Sequence, residues 1–260
     1  MSGDCTTTTL THREQHNLFV IEDCAQAHGG KYKGRAVGSI GHVGAWSFCQ
    51  DKIMTTGGEG GMVTTNDTGL WKKMWSLKDH GKSWDAVYER EHEPGFRWLH
   101  DTFGTNWRMT EMQAVIGRIQ LQRMPQWHTA RLANAQMIWD AAKSCRALRV
   151  PEIPADILHA AYKCYVFVES SQLKPGWNRD RILNEIVERG VPCYSGSCAE
   201  VYLEKAFDGT DYRPAEPMRV ARELGENSLM FLVHPTLIES ELQKTCDVLQ
   251  AVMGLASLNA

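Results

Sequence analysis

The chain has 260 residues, 43% of them hydrophobic, which is enough to bury a core in one large domain or two modest ones. Its 28 basic and 31 acidic residues give a formal net charge of −3. This charge provides no positive potential that would attract nucleic acid, so we expect no nucleic-acid partner. No stretch approaches the ~20 apolar residues that cross a bilayer, and no signal peptide is recognisable, so we expect a cytoplasmic protein without a membrane partner.

The cysteines and histidines form no recognisable framework. The eight cysteines stand at positions 5, 24, 49, 145, 164, 193, 198 and 246. They include no CxxC pair and several lie inside apolar runs, so we expect reduced and mostly buried thiols. The ten histidines show no HExxH spacing, and we therefore expect no dedicated transition-metal site.

Three short apolar runs near the amino end predict buried strands, at residues 18–22, 43–48 and 61–65. The loops that follow such strands usually carry the functional side chains. Residues 66–109 are polar and rich in aromatic residues, glycine and proline, which is typical of a long loop rather than of a packed element. A loop of that length is usually functional or disordered.

A helix is predicted to begin next, because Thr110 and Gln113 have the spacing of a capping box. Apolar residues at helical spacing follow it: Met112, Val115, Ile116 and Ile119. Pro125 is expected to break or kink this helix, and a second long helix should follow as a connector between domains.

The rest of the sequence alternates between strands and helices. Residues 164–168 and 229–233 predict strands, and residues 178–189 predict a helix that ends at Gly190. The last helix places four apolar residues on one face: Leu242, Cys246, Leu249 and Val252. The whole pattern predicts an α/β protein with a smaller α+β domain at the carboxyl end, divided at residue 125.

Two side chains near the predicted strand ends point to a specific chemistry. Asp23 follows the first strand, at the carboxyl end where α/β ligand sites form. Lys52 follows the second strand and precedes the glycine-rich run 57–61, whose backbone is permissive enough to wrap around a neighbour. Taken singly, Asp23 is as well explained as a loop or cap residue and Lys52 as a solvated surface lysine.

Together these two residues meet the needs of pyridoxal phosphate: a lysine amine that forms a Schiff base, and an acid opposite the pyridine nitrogen. The carboxylate keeps the ring nitrogen protonated, because a nearby opposite charge favours the charged form. A neutral lysine attacks the aldehyde and, once released by the substrate, moves the proton between the substrate carbon and the cofactor.

An ordered series of motifs surrounds these residues. It comprises Ile21-Glu-Asp-Cys-Ala-Gln-Ala-His-Gly29, Gly38-Ser39, Trp46-Ser-Phe48, Gly58-Glu-Gly-Gly-Met62, Asp79-His-Gly81, Gly104-Thr-Asn-Trp-Arg-Met-Thr-Glu-Met-Gln-Ala114, Gln120-Leu121 and Val233-His-Pro235. In this order the set resembles the DegT/DnrJ/StrS family of sugar aminotransferases over essentially the whole chain. The resemblance implies a fold-type I pyridoxal-phosphate-dependent transferase. Residues 1–125 would be the remaining part of a large cofactor-binding domain with a mixed, mostly parallel sheet, and residues 126–260 a connecting helix and a small α+β domain.

The resemblance also implies a role for each of five residues. Asp23 would pair with the pyridinium nitrogen, and Gln26, one helical turn on, would reach the phenolic oxygen. Lys52 would form the Schiff base and Ser47 would bind the cofactor phosphate. Asn106 would reach across from a neighbouring subunit and bind that phosphate, which implies a homodimer with a shared active site. Without the resemblance, Ser47 is an ordinary strand residue and Asn106 a turn former.

His28 and His80 lie in motifs of the same series, and histidine is a residue type suited to acid–base chemistry, so that chemistry and simple bracing of a loop are both open for them. The resemblance implies transfer of an amino group from glutamate to a keto-sugar in polysaccharide or antibiotic-sugar biosynthesis, and we expect that sugar to be linked to a nucleotide. Two alternatives remain: a pyridoxal-dependent sugar dehydratase, whose members lack the lysine seen at position 52, and a non-catalytic binding or regulatory protein.

The sequence departs from the family in one respect, since only 22 residues precede Asp23. Members of the family normally carry a long segment there, with the glycine and hydroxyl loop that cradles the phosphate. We therefore expect a truncated chain, or a short protein that has lost activity, and favour the first. Without half of the phosphate contacts, cofactor affinity should fall steeply, and this 260-residue chain should show little or no turnover of an amino donor.

Overall fold

The computed structural model of the chain describes residues 5–258, with side chains from residue 11 onward. The chain divides into two compact units. The first unit is Met1–Pro125 with Ala155–Ala160, and the second unit is Gln126–Pro154 with Ala161–Ala260. Among the described residues, no helix is long and apolar enough to span a bilayer.

The helices and strands alternate along the chain. Up to residue 143 they are α1 (Cys5–His16), β1 (Ile21–Asp23), β2 (Lys31–Tyr32), β3 (Arg35–Ala36), β4 (Val43–Ser47), β5 (Gly61–Thr64), α2 (Thr68–Lys78), α3 (Trp84–Tyr88) and α4 (Glu111–Lys143). The remaining ones are β6 (Leu148–Arg149), β7 (Ile157–Leu158), β8 (Cys164–Val168), α5 (Arg179–Glu188), β9 (Cys193–Tyr194), α6 (Arg219–Asn227), β10 (Ser228–Phe231) and α7 (Glu239–Ala256).

The main sheet of the first unit has the strand order β1-β4-β5. Strands β1 and β4 are parallel, with Asp23 opposite Ala45, whereas β4 and β5 are antiparallel, with Ser47 opposite Gly61. All three predicted strands are therefore present in a mixed sheet. The first begins at Ile21 rather than at residue 18, and it contains Asp23 as its last residue. A second small sheet, β3-β2-β7, joins residues 31–36 to the segment that returns from residues 155–160.

The prediction of one long loop over residues 66–109 is wrong, because α2 and α3 lie within it. Each helix has a side-chain cap at its amino end. Asp67 Oδ1 accepts a hydrogen bond from the Leu70 backbone N–H at 2.8 Å, and Ser83 Oγ accepts one from the Ala86 N–H at 3.1 Å. Such caps satisfy backbone donors that a helix leaves unpaired, and they outweigh the weak helix preference of this aromatic-rich stretch.

Helix α4 begins as predicted, at the Thr110 capping box. Thr110 Oγ1 accepts from the Gln113 N–H at 3.4 Å, and Gln113 Oε1 accepts from the Thr110 N–H at 3.0 Å. The predicted break is wrong, since the helix runs unbroken through Pro125 for 33 residues. A proline inside a helix costs about 3 kcal/mol, and packing of the helix on either side, at buried Met124 and buried Ile138, offsets that cost.

The second unit is built on an antiparallel sheet with the strand order β6-β8-β10-β9. Its core contains the fully buried side chains of Phe231 and Ile186. The predicted apolar face of the last helix is confirmed, because all four of its residues are buried: Leu242, Cys246, Leu249 and Val252.

Helix α5 matches its predicted bounds closely. Asn178 is the amino-terminal cap, and its Oδ1 accepts from the Arg181 N–H at 2.8 Å. Gly190 follows the helix with φ 74°, a left-handed conformation that glycine adopts without strain.

We expect Asn178→Ala to lower the free energy of unfolding by about 1 kcal/mol, because the capped N–H loses its acceptor. Urea denaturation measures the change. Asn184→Ala is the matched control, since Asn184 is exposed in the same helix. There alanine is the better helix former, and stability should stay the same or rise slightly. Equal losses in both variants would contradict the capping role.

The described cysteines are free thiols, as predicted, and four are buried: Cys24, Cys164, Cys193 and Cys246. Burial raises the pKa of the Cys24 thiol to about 11 and that of Cys193 to about 12. Both thiols are therefore protonated and poorly nucleophilic near neutral pH. Cys5 lies outside the described side chains.

Candidate active site

The carboxyl ends of β1 and β4 form one edge of the main sheet. Asp23 ends β1 opposite Ala45, and Ser47 ends β4 two residues further along. Because the two strands are parallel neighbours, both residues lie at the same edge of the sheet. Asp23 is exposed and Ser47 is half-buried. The structure thus brings together two of the predicted site residues through strand register alone.

Asp23 is held at the start of a pair of tight turns. Its Oδ1 accepts a hydrogen bond from the Ala25 backbone N–H at 3.0 Å. The Cys24 N–H donates to the Ala45 carbonyl at 2.8 Å, which fixes the chain to β4 just after Asp23. Gln26 lies exposed within these turns, so the prediction that it stands one helical turn beyond Asp23 is wrong. The Ala27 N–H bonds back to the Cys24 carbonyl at 3.0 Å, which closes a turn instead of a helix.

Lys52 lies in the loop of residues 48–60, which joins β4 to β5. The Lys52 N–H donates to the Cys49 carbonyl at 3.0 Å, so the lysine sits on a turn directly after the end of β4. The Phe48 N–H donates to the Gly60 carbonyl at 2.9 Å and closes the base of the loop. Lys52 is half-buried. The loop therefore carries this lysine at the same sheet edge as Ser47.

Two glutamines of α4 hold this loop from outside, and sequence reasoning missed that role. Gln120 Oε1 accepts from the Thr55 N–H at 2.9 Å, and Gln113 Nε2 donates to the Glu59 carbonyl at 2.8 Å. They are seven residues apart, which is two helical turns, so both face the loop. Two polar residues at that spacing on an otherwise apolar helix face are the signal from which they could have been found.

The glycine-rich part of the loop is sterically required at Gly60. Gly60 has φ 157°, and a Cβ atom there would lie 2.2 Å from Thr56 Oγ1. That hydroxyl donates to the Glu59 carbonyl at 2.9 Å. The loop therefore closes tightly on itself, as the glycine run predicts.

Glu22 is a third residue whose role sequence reasoning missed. Its carboxylate accepts three backbone N–H groups: those of Gly38 at 2.8 Å, Ile40 at 2.7 Å and Gly41 at 2.6 Å. Side chains alternate along a strand, so Glu22 and Asp23 point to opposite faces of β1. Glu22 fixes the loop that leads into β4, and it thereby sets the position of the strand that carries Ser47.

Asn106 lies on a different loop, at the carboxyl end of α2. Its neighbours are bonded to that helix, since the Thr105 N–H donates to the Leu77 carbonyl at 2.7 Å and the Trp107 N–H to the Lys78 carbonyl at 2.9 Å. Asn106 itself forms an isolated antiparallel bridge with Asp79 and is exposed. The structure thus presents Asn106 outward on a loop that is fixed in place.

Asp79 is the anchor of that loop. Arg108 Nη1 donates to its Oδ1 at 2.5 Å, and Lys82 Nζ lies 3.5 Å from the same oxygen. Burial by itself raises the pKa of Asp79, but the hydrogen bond from Arg108 and the charges of Lys82 and Lys78 outweigh it, so the pKa lies below its ordinary value.

We expect Asp79→Asn to destabilise the protein by about 1–2 kcal/mol at pH 7, because a charged hydrogen bond is lost. The folded-state pKa is the lower one, so this contribution is present above the unfolded pKa and disappears as pH falls through the folded pKa. The difference in free energy of unfolding between variant and wild type should therefore shrink below about pH 4. Urea denaturation at pH 7 and at pH 3 measures it. Asp101→Asn is the control, since its exposed pair with Arg90 should contribute little. A difference that is as large at pH 3 as at pH 7 would contradict the assignment.

The two histidines with open roles occupy different surroundings. His28 is buried, and its ring centroid lies 5.1 Å from that of Trp46 and 5.9 Å from that of Phe48. His80 is exposed with φ 59°, and its backbone N–H donates to the Thr105 carbonyl at 2.9 Å. Both therefore have bracing contacts in the loops near the site.

Comparison with known proteins identifies the family. The model of the DegT/DnrJ/EryC1/StrS aminotransferase family matches residues 9–250. The crystal structure of the aminotransferase from Psychrobacter cryohalolentis is 61% identical, with a TM-score of 0.94 over 96% of this chain and 65% of that one. Two curated relatives are a UDP-N-acetyl-3-dehydro-alpha-D-glucosamine 3-aminotransferase of Acidithiobacillus ferrooxidans, 29% identical over 92% of this chain, and a GDP-perosamine synthase of Escherichia coli O157:H7, 28% identical over 90%.

The chain spans 58% of the length of each of these two curated relatives. Its mixed sheet, its α/β order and its solved neighbours agree on the fold-type I architecture of pyridoxal-phosphate-dependent transferases. The chain belongs to the DegT/DnrJ/EryC1/StrS aminotransferase family.

Proposed function

We propose that the protein is a pyridoxal-phosphate-dependent aminotransferase that moves an amino group from glutamate to a nucleotide-linked keto-sugar. The observation that carries this proposal is the placement of Asp23, Ser47 and the Lys52 loop at one edge of the β1–β4 pair. An acid, a hydroxyl and an amine at one sheet edge are the groups that this cofactor requires of a protein.

The residues present fit pyridoxal phosphate by their chemistry and exposure. The exposed carboxylate of Asp23 suits a protonated ring nitrogen, and the Ser47 hydroxyl suits a phosphate oxygen. Gly61, which lies opposite Ser47, adds no side chain to that edge and leaves the backbone open to a phosphate. The amide of Gln26 lies in the loop after Asp23 and suits the phenolic oxygen.

When bound, pyridoxal phosphate supplies a ring that takes up the electron pair of the substrate carbon. Asp23 holds the proton on the ring nitrogen and so keeps the ring electron-poor. Lys52 would hold the cofactor at rest and, once the amino donor has displaced its amine, that neutral amine would take the proton from the substrate carbon and deliver it to the cofactor carbon to which the lysine had been attached. Ser47 and Gln26 orient the ring so that this proton transfer stays within reach of the Lys52 amine.

Two further parts of the proposal concern substrates and assembly. The curated relatives described above are named for a UDP-linked and a GDP-linked sugar, which supports a nucleotide-linked substrate. Asn106 is exposed on a fixed loop at α2, which supports a homodimer in which it reaches the phosphate of the partner subunit's cofactor.

The proposal is tested by the first half-reaction of transamination, in which the amino donor reacts with the cofactor-loaded protein. The purified chain is loaded with excess pyridoxal phosphate and mixed with glutamate, and absorbance follows conversion of the cofactor to its amino form over hours, because this single turnover is measurable even in a chain expected to turn over its amino donor very slowly. Glutamate should convert the cofactor faster than glutamine, alanine or aspartate do at equal concentration. A protein that develops no cofactor absorbance would instead favour the binding or regulatory alternative, and preference for glutamine would refute the donor.

A further inference from the structure

Arg131 is a buried cation in the second unit. It lies on α4 and is 4% exposed. Its Nη1 donates to two backbone carbonyls, Tyr162 at 3.1 Å and Ala161 at 3.5 Å. Burial lowers its pKa to about 10, so it remains charged at neutral pH. No carboxylate among the described side chains forms an ion pair with it, and its buried Nε has no acceptor there. A buried charge without a counter-ion is unfavourable unless a partner of opposite charge is supplied.

Two other basic side chains, those of Lys163 and His234, belong to segments that the same helix holds. Asn134, three residues along α4, donates from Nδ2 to the His234 carbonyl at 3.1 Å. Arg131 bonds to the carbonyl of Tyr162, the residue before Lys163, and Asn134 bonds to the carbonyl of His234 itself. One turn of the helix therefore holds both segments. Desolvation and then the charges of Arg131 and Lys163 lower the pKa of His234, in agreement with the shared region that the hydrogen bonds of Arg131 and Asn134 define.

The hydrogen bonds of His234 define the proton that it presents. The Thr236 backbone N–H donates to His234 Nδ1 at 3.3 Å, and the Thr236 hydroxyl lies 2.7 Å from the same nitrogen. Because Nδ1 accepts the backbone N–H, the neutral ring carries its proton on Nε2. His234 is exposed, so this N–H remains a donor for a ligand.

We propose that Arg131, Lys163 and His234 form a binding site for an oxyanion, the carboxylate or phosphate group of a small ligand. The free Nε–H of Arg131 belongs to the edge of the guanidinium group that binds oxyanions through paired hydrogen bonds. Lys163 and the Nε2–H of His234 add a second charge and a third donor. All three residues belong to the second unit, so the site does not depend on the proposed roles of Asp23, Ser47 or Lys52.

The test is isothermal titration of the purified chain, dialysed free of unbound cofactor, with inorganic phosphate and separately with glutarate. Ionic strength is held constant with sodium chloride. At least one anion should bind saturably, and which one binds identifies phosphate or carboxylate as the source. Arg131→Gln should weaken that binding by about tenfold or more, the effect of losing a charged hydrogen bond. Lys163→Gln and His234→Gln leave the buried helix face unchanged, and each should weaken it by about threefold or more.

Two controls isolate the site. Arg146→Gln removes an exposed arginine of the second unit and should leave the affinity unchanged. Arg131→Gln should still trap pyridoxal phosphate on the protein after borohydride reduction, which separates this inference from the proposed function. The proposal is overturned if neither anion binds saturably, if the three site variants bind as wild type, or if Arg146→Gln weakens binding as much as they do.

Discussion

Replacing Lys52 by alanine is expected to abolish covalent attachment of pyridoxal phosphate, so that borohydride traps no cofactor on the protein. A neutral amine is the group that condenses with the cofactor aldehyde, and alanine offers none. The yellow absorbance of the loaded protein should disappear with it. The glutamate half-reaction should slow by about 10³-fold or more, since the proton-transfer group is lost as well. Absorbance spectra and peptide mass mapping after reduction measure both effects.

The fold should survive this substitution, because the loop is held by its backbone and by α4. The Lys52 N–H bond to Cys49 and the Gln120 bond to Thr55 do not involve the lysine side chain. Lys73→Ala, on the exposed side of α2, is the matched control and should keep full trapping. Lys52→Arg keeps the charge without the amine and should behave like alanine. Trapping at another lysine in the Lys52→Ala protein would refute the assignment.

The sequence was sufficient to predict the strands that carry the site. The apolar runs that became β1 and β4 have local signals, namely their length, their apolar composition and the polar residues that follow. The positions of Asp23 and Lys52 after those runs predicted that both residues serve one cofactor. The structure places Asp23 and the loop of Lys52 at one edge of the sheet, because β1 and β4 turned out to be parallel neighbours. Their individual roles in the chemistry remain predictions.

The parts that were missed depend on contacts between residues far apart in sequence. Glu22 binds N–H groups 16 to 19 residues away, and Gln120 binds Thr55 across 65 residues. No local pattern specifies such pairs. The same cause explains Pro125: tertiary packing on both sides keeps α4 continuous, although local rules predict a break. The signal for helix α2 is ambiguous for a different reason, because its capping residue Asp67 is of a type equally common in turns and loops.

Glu22 and Asp23 are adjacent carboxylates for which the structure indicates opposite roles, and conservative amide substitutions should separate them. Glu22→Gln replaces an acceptor of three backbone N–H groups with an amide that has only one oxygen. We expect it to lower the free energy of unfolding by about 2–3 kcal/mol, because partly buried donors lose a charged partner. Its effect on cofactor binding should follow only from that loss of folded protein.

Asp23→Asn should show the reverse pattern. Asp23 is exposed and makes one described side-chain hydrogen bond, to the Ala25 N–H, which asparagine can still accept through its oxygen. Stability should therefore change little. The affinity for pyridoxal phosphate should fall about tenfold to hundredfold, because the ring nitrogen loses its charged partner. Urea denaturation and titration with the cofactor, run on both variants, measure the two quantities. If Asp23→Asn binds the cofactor as wild type does, or if Glu22→Gln alone weakens binding at unchanged stability, the carboxylate opposite the ring has been assigned to the wrong face of β1.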